Sequence, residues 1–257
     1  MSKAASDGNT IQSVDRTFRI VETIQHRDGA NLTEVADAVG LSKSTAYRHL
    51  YTLIQHGYVV KEDDRYHVGL RFLDPAIHAK TRKQVYRITE PKVDQLAERT
   101  GERAQFITNE NGRGIHIHSA VGENGIQTES RVGQRVYLHA TSVGKCILAH
   151  LPEGEVERII DRQGLPRLTE NTITTRDELF ADLERIRERG YGFNRAERRN
   201  GMMAIGAPIL DPQNRVLGGI SVTGPQRRME SEHKQYLPDL LMDLADEIRL
   251  RLEYPQQ

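Results

Sequence analysis

Four hydroxyl side chains offer the clearest chemistry in this sequence. Thr141 and Ser142 stand where an apolar helix pattern, about Val143 to Leu151, begins; Ser221 and Thr223 alternate along a strand-like run. N–H groups at a helix start have no carbonyl partners within the helix, so such a start suits a small anion such as a carboxylate. Strand residues two apart point to the same side. Ser221 and Thr223 facing the helix start could therefore hold an organic acid.

Other reactive types are less well supported. Cys146 follows Lys145 near a helix start, which could lower its pKa, and His139 would be the nearest base for a nucleophilic enzyme. Yet Cys146-Ile147-Leu148-Ala149 reads as core packing. His116 and His118 on a strand would share one face like a metal pair, but structural zinc usually needs four ligands. Gly112-Arg113-Gly114 reads as a turn, and no phosphate-binding loop pattern occurs. The expectation is no catalytic residue, no metal and no cofactor, with a Cys-dependent enzyme as an alternative that Cys146 or His139 would have to carry.

A second kind of chemistry lies upstream. Leu32, Val35, Ala36 and Val39 recur at i, i+3, i+4 and i+7, the mark of a helix with one buried face. Gly40 permits a tight turn, Leu41 packs inward, and Ser42 is suited to cap the next helix. In that helix Ala46, Leu50 and Leu53 form the inner stripe. Its outer face keeps Lys43, Ser44, Tyr47, Arg48 and Tyr51, with Thr45 at the margin. No Asp or Glu occurs between Asp37 and Glu62, although 28% of the chain is charged. A helix that approaches phosphates should lack carboxylates in this way. Tyr58 to Val60, a polar turn from Lys61 to Arg65, and Tyr66 to Val68 read as a β-hairpin. Together these make a winged helix-turn-helix, whose common use is to set a short helix in the major groove of DNA. Ser42, Lys43, Ser44, Thr45, Tyr47 and Arg48 are the expected contacts, and Lys61 and Arg65 in the wing would touch flanking backbone or minor groove. The alternative is a winged helix that binds only proteins, an adaptor without salt-dependent DNA affinity.

Composition sets looser bounds. The 257 residues allow two domains, each with its own core. Lys plus Arg equals Asp plus Glu at 36 each, so nucleic-acid affinity must come from a local patch. One cysteine excludes an intramolecular disulfide and suits a reducing cytoplasm. The polar first residues resemble neither a signal peptide nor an anchor, and no apolar run approaches the roughly 20 residues that span a bilayer. A soluble, cytoplasmic protein is expected.

The elements that must position these residues follow in order. Residues 1 to about 10 should be disordered. A helix from about Ser13, with Val14, Phe18, Val21 and Ile24 on one face, should end near Asp28-Gly29. After the wing comes a mostly helical stretch to about Thr100, carrying Lys80, Arg82, Lys83 and Arg87, with two helices meeting at Pro91. The rest reads as mixed α/β. Strands are expected at Ala104–Thr108, Gly114–Ala120, Ile126–Arg131, Met203–Ile209 and Val216–Thr223. Helices are expected at Glu153–Gln163, Asp177–Arg189 and a last one ending near Leu252.

The run from Arg131 to Ala149, with His139-Ala140-Thr141 and Gly144-Lys145 at its heart, the Gly190-Tyr191 step and Ser221-Val222-Thr223-Gly224-Pro225 give the chain a family likeness. From about Ile11 to about Tyr254 it resembles the IclR family of transcriptional regulators. The resemblance implies an α+β chain: an N-terminal winged helix-turn-helix over 11–73, a linker helix over 74–90 and a C-terminal GAF-like α/β effector-binding domain over 91–254. It implies a homodimer or homotetramer on double-stranded promoter DNA, answering to a small metabolite, an organic acid. Carried over residue by residue, the effector site comprises Val136, Ser142, Val143, Asn194, Ala204, Gly206, Ser221 and Thr223. The family often has a carboxylate where Asn194 stands, a cysteine where Ala204 stands, and an acidic pair where Ala196-Glu197 stands. The Asn194 amide implies a ligand of altered polarity.

Overall fold

A computed structural model describes residues 10–127 and 130–254. The expected disorder of the first ten residues, Thr10 apart, lies outside them. The chain divides after Lys80 into two compact units.

In the first unit, α1 (Gln12–His26), α2 (Leu32–Val39) and α3 (Lys43–Gln55) precede a hairpin of β1 (Val59–Glu62) and β2 (Arg65–Val68). Val35, Ala36 and Val39 of α2 and Ala46, Leu50 and Leu53 of α3 are buried, as their spacing predicts. The stripe of α1 differs. Ile20 and Ile24 are buried, whereas Val14 and Phe18 are 47% and 61% exposed. Two apolar rows run side by side on α1, and periodicity alone does not say which one meets the core. The wing turn is tighter than expected: Glu62 pairs with Arg65, so only Asp63 and Asp64 connect the strands. Asp63 adopts a φ of 50°, a region Asp enters more readily than most residues.

A 3₁₀ turn at Leu70–Phe72 leads into α4 (Leu73–Thr81). The helical stretch breaks at Arg82-Lys83, and α5 (Gln84–Thr100) then runs through Pro91 without interruption. Proline there removes one bond, to the carbonyl of Arg87. Both residues lie on the exposed face of α5, where water can serve that carbonyl.

The second unit is one antiparallel sheet with helices on both faces. Its strands are β3 (Arg103–Glu110), β4 (Arg113–Val121), β5 (Arg135–Tyr137), β6 (Gly192–Arg195), β7 (Met202–Leu210) and β8 (Val216–Pro225), in the order β5-β4-β3-β8-β7-β6. β5 and β6 are additional to the expected strands. Of the strand expected at Ile126–Arg131, Thr128 and Glu129 lie outside the described residues and the remainder is irregular. The helices are α6 (Ser142–Ala149), α7 (Glu153–Gln163), α8 (Arg176–Arg189), the short α9 (Gln226–Arg228), which continues into a π turn, and α10 (Leu237–Glu253).

Alternation along the strands sorts residues onto the two faces. Ala104, Phe106, Ile205, Ala207, Ile220 and Val222 join Val93, Leu96, Leu241 and Ile248 in a core beneath α5 and α10. On the other face Ile107, Val143, Ile147, Leu179 and Leu183 form a second core with α6 and α8. Three glycines let the start of α6 lie directly on that face. A Cβ on Gly192 would meet the Ser142 carbonyl at 2.8 Å, one on Gly206 the Ser142 Oγ at 3.0 Å, and one on Gly219 the Val143 side chain at 2.9 Å. No helix is long and apolar enough to cross a membrane among the described residues.

Candidate functional site

The first site is built on α3. An Asn31–Glu34 capping box opens α2, with Asn31 Oδ1 accepting from the Glu34 N–H and Glu34 accepting from the Asn31 N–H. Gly40 closes α2 with a φ of 69°, and the Leu41 N–H returns to the Ala36 carbonyl. Ser42 then caps α3, its Oγ accepting from the Thr45 N–H at 3.2 Å and sharing bonds with the Ser44 and Thr45 hydroxyls. The caps fix the angle between the two helices, and α3 presents Lys43, Ser44, Tyr47, Arg48 and Tyr51 to solvent, with Thr45 half-buried. His49, bonded to Thr17 of α1, is held below its usual pKa by burial first and then by Arg16 and Arg48. Arg16 thus adds a cation to this flank that the helix pattern of α3 did not disclose.

In the wing, Lys61 is exposed and lies 5.8 Å over the Tyr66 ring. Arg65 has internal partners instead: it donates to the Gly29 carbonyl at 2.6 Å and stands 3.6 Å from Glu34. It ties the wing to the start of α2, so its side chain is less available to DNA than the sequence suggested.

The second site is a cavity of about 160 Å³ on the α6 face of the sheet. Ser142, Val143, Asn194, Ala204, Ser221 and Thr223 all line it, as does Thr141. Val136 and Gly206 do not. Val136 is buried over Gly114, whose Cβ, if present, would meet it at 2.8 Å; Gly206 seats α6 against the sheet. The residues the sequence reading missed are mostly on β3 and the β6–β7 connection: Arg103, Gln105, Arg198 and Arg199. Strand alternation through Arg103, Gln105 and Ile107 was the available signal, but which side faced the cavity depended on pairing with β8.

Polar geometry in the cavity is specific. Gln105 Nε2 donates to Ser221 Oγ at 3.2 Å and Thr223 Oγ1 at 3.1 Å. Each hydroxyl accepts that bond and keeps its own O–H to donate. Thr141 caps α6 by accepting from the Gly144 N–H, while the Ser142 and Val143 N–H groups have no carbonyl within the helix. Of the lining groups, Gln105 Oε1 and Arg103 Nε are buried with no hydrogen-bond partner; Ser119 Oγ and both His116 nitrogens, outside the lining, are likewise unpartnered. Burial lowers the Arg103 guanidinium, and burial followed by Arg199 and Arg103 lowers that of Arg198. No carboxylate stands among the described lining residues. The site is therefore rich in donors and short of negative charge.

Asn194 lines the cavity, but its amide serves the fold: Nδ2 donates to the Ala140 carbonyl and Oδ1 accepts from the Glu197 N–H at 3.1 Å. A carboxylate at 194 would keep the second bond and turn the first into a repulsion. Asn194→Asp should therefore lower stability by about 1–3 kcal/mol near neutral pH, less where the new carboxyl is protonated. Thermal unfolding at pH 4 and pH 7.5 checks this, and an equal or higher melting temperature at both would contradict it.

The other reactive groups resolve differently from expectation. A bulge in β4 pairs Phe106 with His118 and Ile107 with His116, leaving Ile117 between them. The two imidazoles therefore face opposite sides of the sheet. His118 meets Asp94 at 2.7 Å on the α5 side, while His116 is fully buried and pushed down to about 3 by burial, Arg198 and Arg103. Cys146 is fully buried, its Sγ bonded to the Gly206 carbonyl at 3.2 Å, and burial pushes its thiol up to about 12, the opposite of an activated nucleophile. His139 is buried and bonded to the Pro166 carbonyl.

A winged helix-turn-helix followed by a cavity-bearing α/β unit is the architecture of a one-chain transcription regulator. Residues 13–63 match the IclR helix-turn-helix domain and 77–250 the bacterial transcriptional regulator IclR C-terminal family. The chain is 33% identical to a probable HTH-type transcriptional regulator ArcR of Halobacterium salinarum, over 98% of each protein. The crystal structure of the Thermotoga maritima IclR superposes with a TM-score of 0.79 at 31% identity, covering 95% of this chain and 100% of that one. An IclR homologue from Microbacterium hydrocarbonoxydans complexed with 4-hydroxybenzoate shares the fold, with a TM-score of 0.80 at 20% identity over 94% and 99% of the two chains. The protein belongs to the IclR family of transcriptional regulators, which are not enzymes.

Proposed function

We propose that this regulator binds promoter DNA through α3 as a homodimer or homotetramer and that a small organic acid in the cavity modulates the binding. What carries this reading is the donor-rich cavity at the start of α6, where the buried Arg103 Nε lacks a partner and no described lining residue is a carboxylate. Native proteins rarely leave such a donor unpaired, and a carboxylate accepts from guanidinium N–H groups and from the first N–H groups of a helix. A void of about 150 Å³ accommodates a benzene-sized molecule, so the cavity volume fits a small metabolite. The fold relative complexed with 4-hydroxybenzoate supports an acid as the ligand class.

On the DNA side, Arg48 is the first candidate for a base or phosphate contact, supported by Lys43, Ser44, Thr45 and Tyr47. Ser42 acts mainly as the cap. Lys61 would reach flanking phosphate, with Arg65 bracing the wing. Two such units would read half-sites spaced by whole turns of the duplex. Fluorescence anisotropy with DNA from upstream of the protein's own gene tests this. Specific binding that weakens steeply with salt is expected. Salt-independent binding, or none to any promoter fragment, would favour the adaptor.

A further inference from the structure

The cavity has a second polar end, away from the start of α6. Strand register sets the geometry. Gln105 pairs with Ser221, and Ser221 with Gly206, against which Ser142 rests. Two residues along, Arg103 pairs with Thr223 and Thr223 with Ala204. Two residues of strand span ~7 Å.

Arg103 at this second level is 7% exposed; one guanidinium nitrogen donates to the Ser130 carbonyl at 2.6 Å, while its Nε has no partner. Arg198 lines the same cavity, with Ser130 Oγ at 3.5 Å. The charge of Arg103 bears on Arg198, and both bear on buried, unpartnered His116. Guanidinium groups removed from water ordinarily keep a counter-charge, and among the described lining residues no carboxylate supplies one to these two.

We propose that the effector is a dicarboxylic acid, with one carboxylate at the start of α6 under the Ser221 hydroxyl and the other between Arg103 and Arg198, beside Thr223. The inference rests on the organic-acid reading above and narrows it. A guanidinium pairs with a carboxylate through parallel N–H donors, which suits the unpartnered Arg103 Nε. A separation of ~7 Å matches an extended diacid of about six carbons with bonds of ~1.5 Å. Between them, Gln105 Oε1 remains as an acceptor that would favour a hydroxyl on the ligand's chain.

The test is isothermal titration calorimetry on the full-length protein with matched pairs: succinate and butyrate, glutarate and pentanoate, adipate and hexanoate. The best diacid should bind at least tenfold more tightly than its monoacid partner. Arg198→Gln should remove that advantage by weakening the diacid and leaving the monoacid unchanged, and Arg198→Lys should restore part of it. An unchanged melting temperature would establish that the Gln variant is folded. Equal binding of diacid and monoacid, both weakened by Ser221→Ala, would overturn the second anion site and leave the organic-acid reading standing. No binding by either series would overturn both.

Discussion

Replacing Lys145 by Met is expected to lower the stability of the second unit by about 3–5 kcal/mol, the scale for breaking a buried ion pair by removing one partner. Lys145 is 1% exposed on α6. Its Nζ donates to both Glu197 oxygens at 2.8 and 2.7 Å and lies 2.8 Å from Asp182 of α8. Glu197 in turn accepts from the Arg195 N–H, and its carbonyl accepts from Thr169 and Thr172. Removing the ammonium leaves two largely buried carboxylates without their shared cation. At ~2–4 °C per kcal/mol for a unit of this size, calorimetry should show a melting temperature lower by about 6–20 °C. A drop of under one degree would contradict this. Adding Asp182→Asn and Glu197→Gln should recover much of the loss, since it removes the uncompensated charge.

The same cluster sets a pH dependence. Burial alone would raise the Asp182 carboxyl, but the charge and hydrogen bond of Lys145, with Arg185 and Arg189, outweigh it and hold the group below its ordinary 3.8. A depressed carboxylate contributes stability above its unfolded pKa and loses it as pH falls through the folded value. The wild type should therefore lose this contribution below about pH 4, and Asp182→Asn should flatten the acid limb of the stability profile. An unchanged acid limb would exclude the role.

Arg48→Ala should weaken DNA binding by about 1–3 kcal/mol, roughly 5- to 150-fold. Arg48 is exposed in the first half of the capped helix α3, where base edges and phosphates are usually met. Its mutation should leave the fold intact, because the inner stripe of Ala46, Leu50 and Leu53 is untouched. The pattern of loss distinguishes two roles. A loss confined to the preferred sequence marks a base contact, and a uniform loss with a shallower salt slope marks a phosphate contact. Binding unchanged on every sequence would remove Arg48 from the interface.

How much of this was legible follows from the range of each interaction. Local rules located the helix-turn-helix well: the buried stripes, the Gly40 turn and the Ser42 cap depend on residues a few positions apart. The same reach explains the success with α7, α8 and the four longer strands. Pairing between distant segments was not legible. The bulge that sends His116 and His118 to opposite faces exists only in the register of β3 with β4. The facing of Arg103 and Gln105 toward the cavity depends on β8, more than a hundred residues away. Gly206 was identified with the site but serves as a seat for α6, a role visible only once helix and sheet are in contact. Asn194 suggested ligand polarity, yet its amide joins the residues before α6 to the β6–β7 connection. Pro91 suggested a helix break, but an exposed carbonyl made it tolerable and the break came at Arg82-Lys83 instead.

Acid in the cavity and DNA on α3 should be linked through one chain. This linkage is tested most directly by measuring the DNA Kd by fluorescence anisotropy across a titration of the tightest-binding acid, for the wild type and for Ser221→Ala. A ligand shifts DNA affinity only by binding the two conformations of the regulator unequally. A 5- to 150-fold change in Kd is expected for the wild type, in either direction, with a matching change in acid affinity when DNA is bound. In Ser221→Ala the change should require far more acid. An acid that binds the cavity while the DNA Kd stays constant would contradict it.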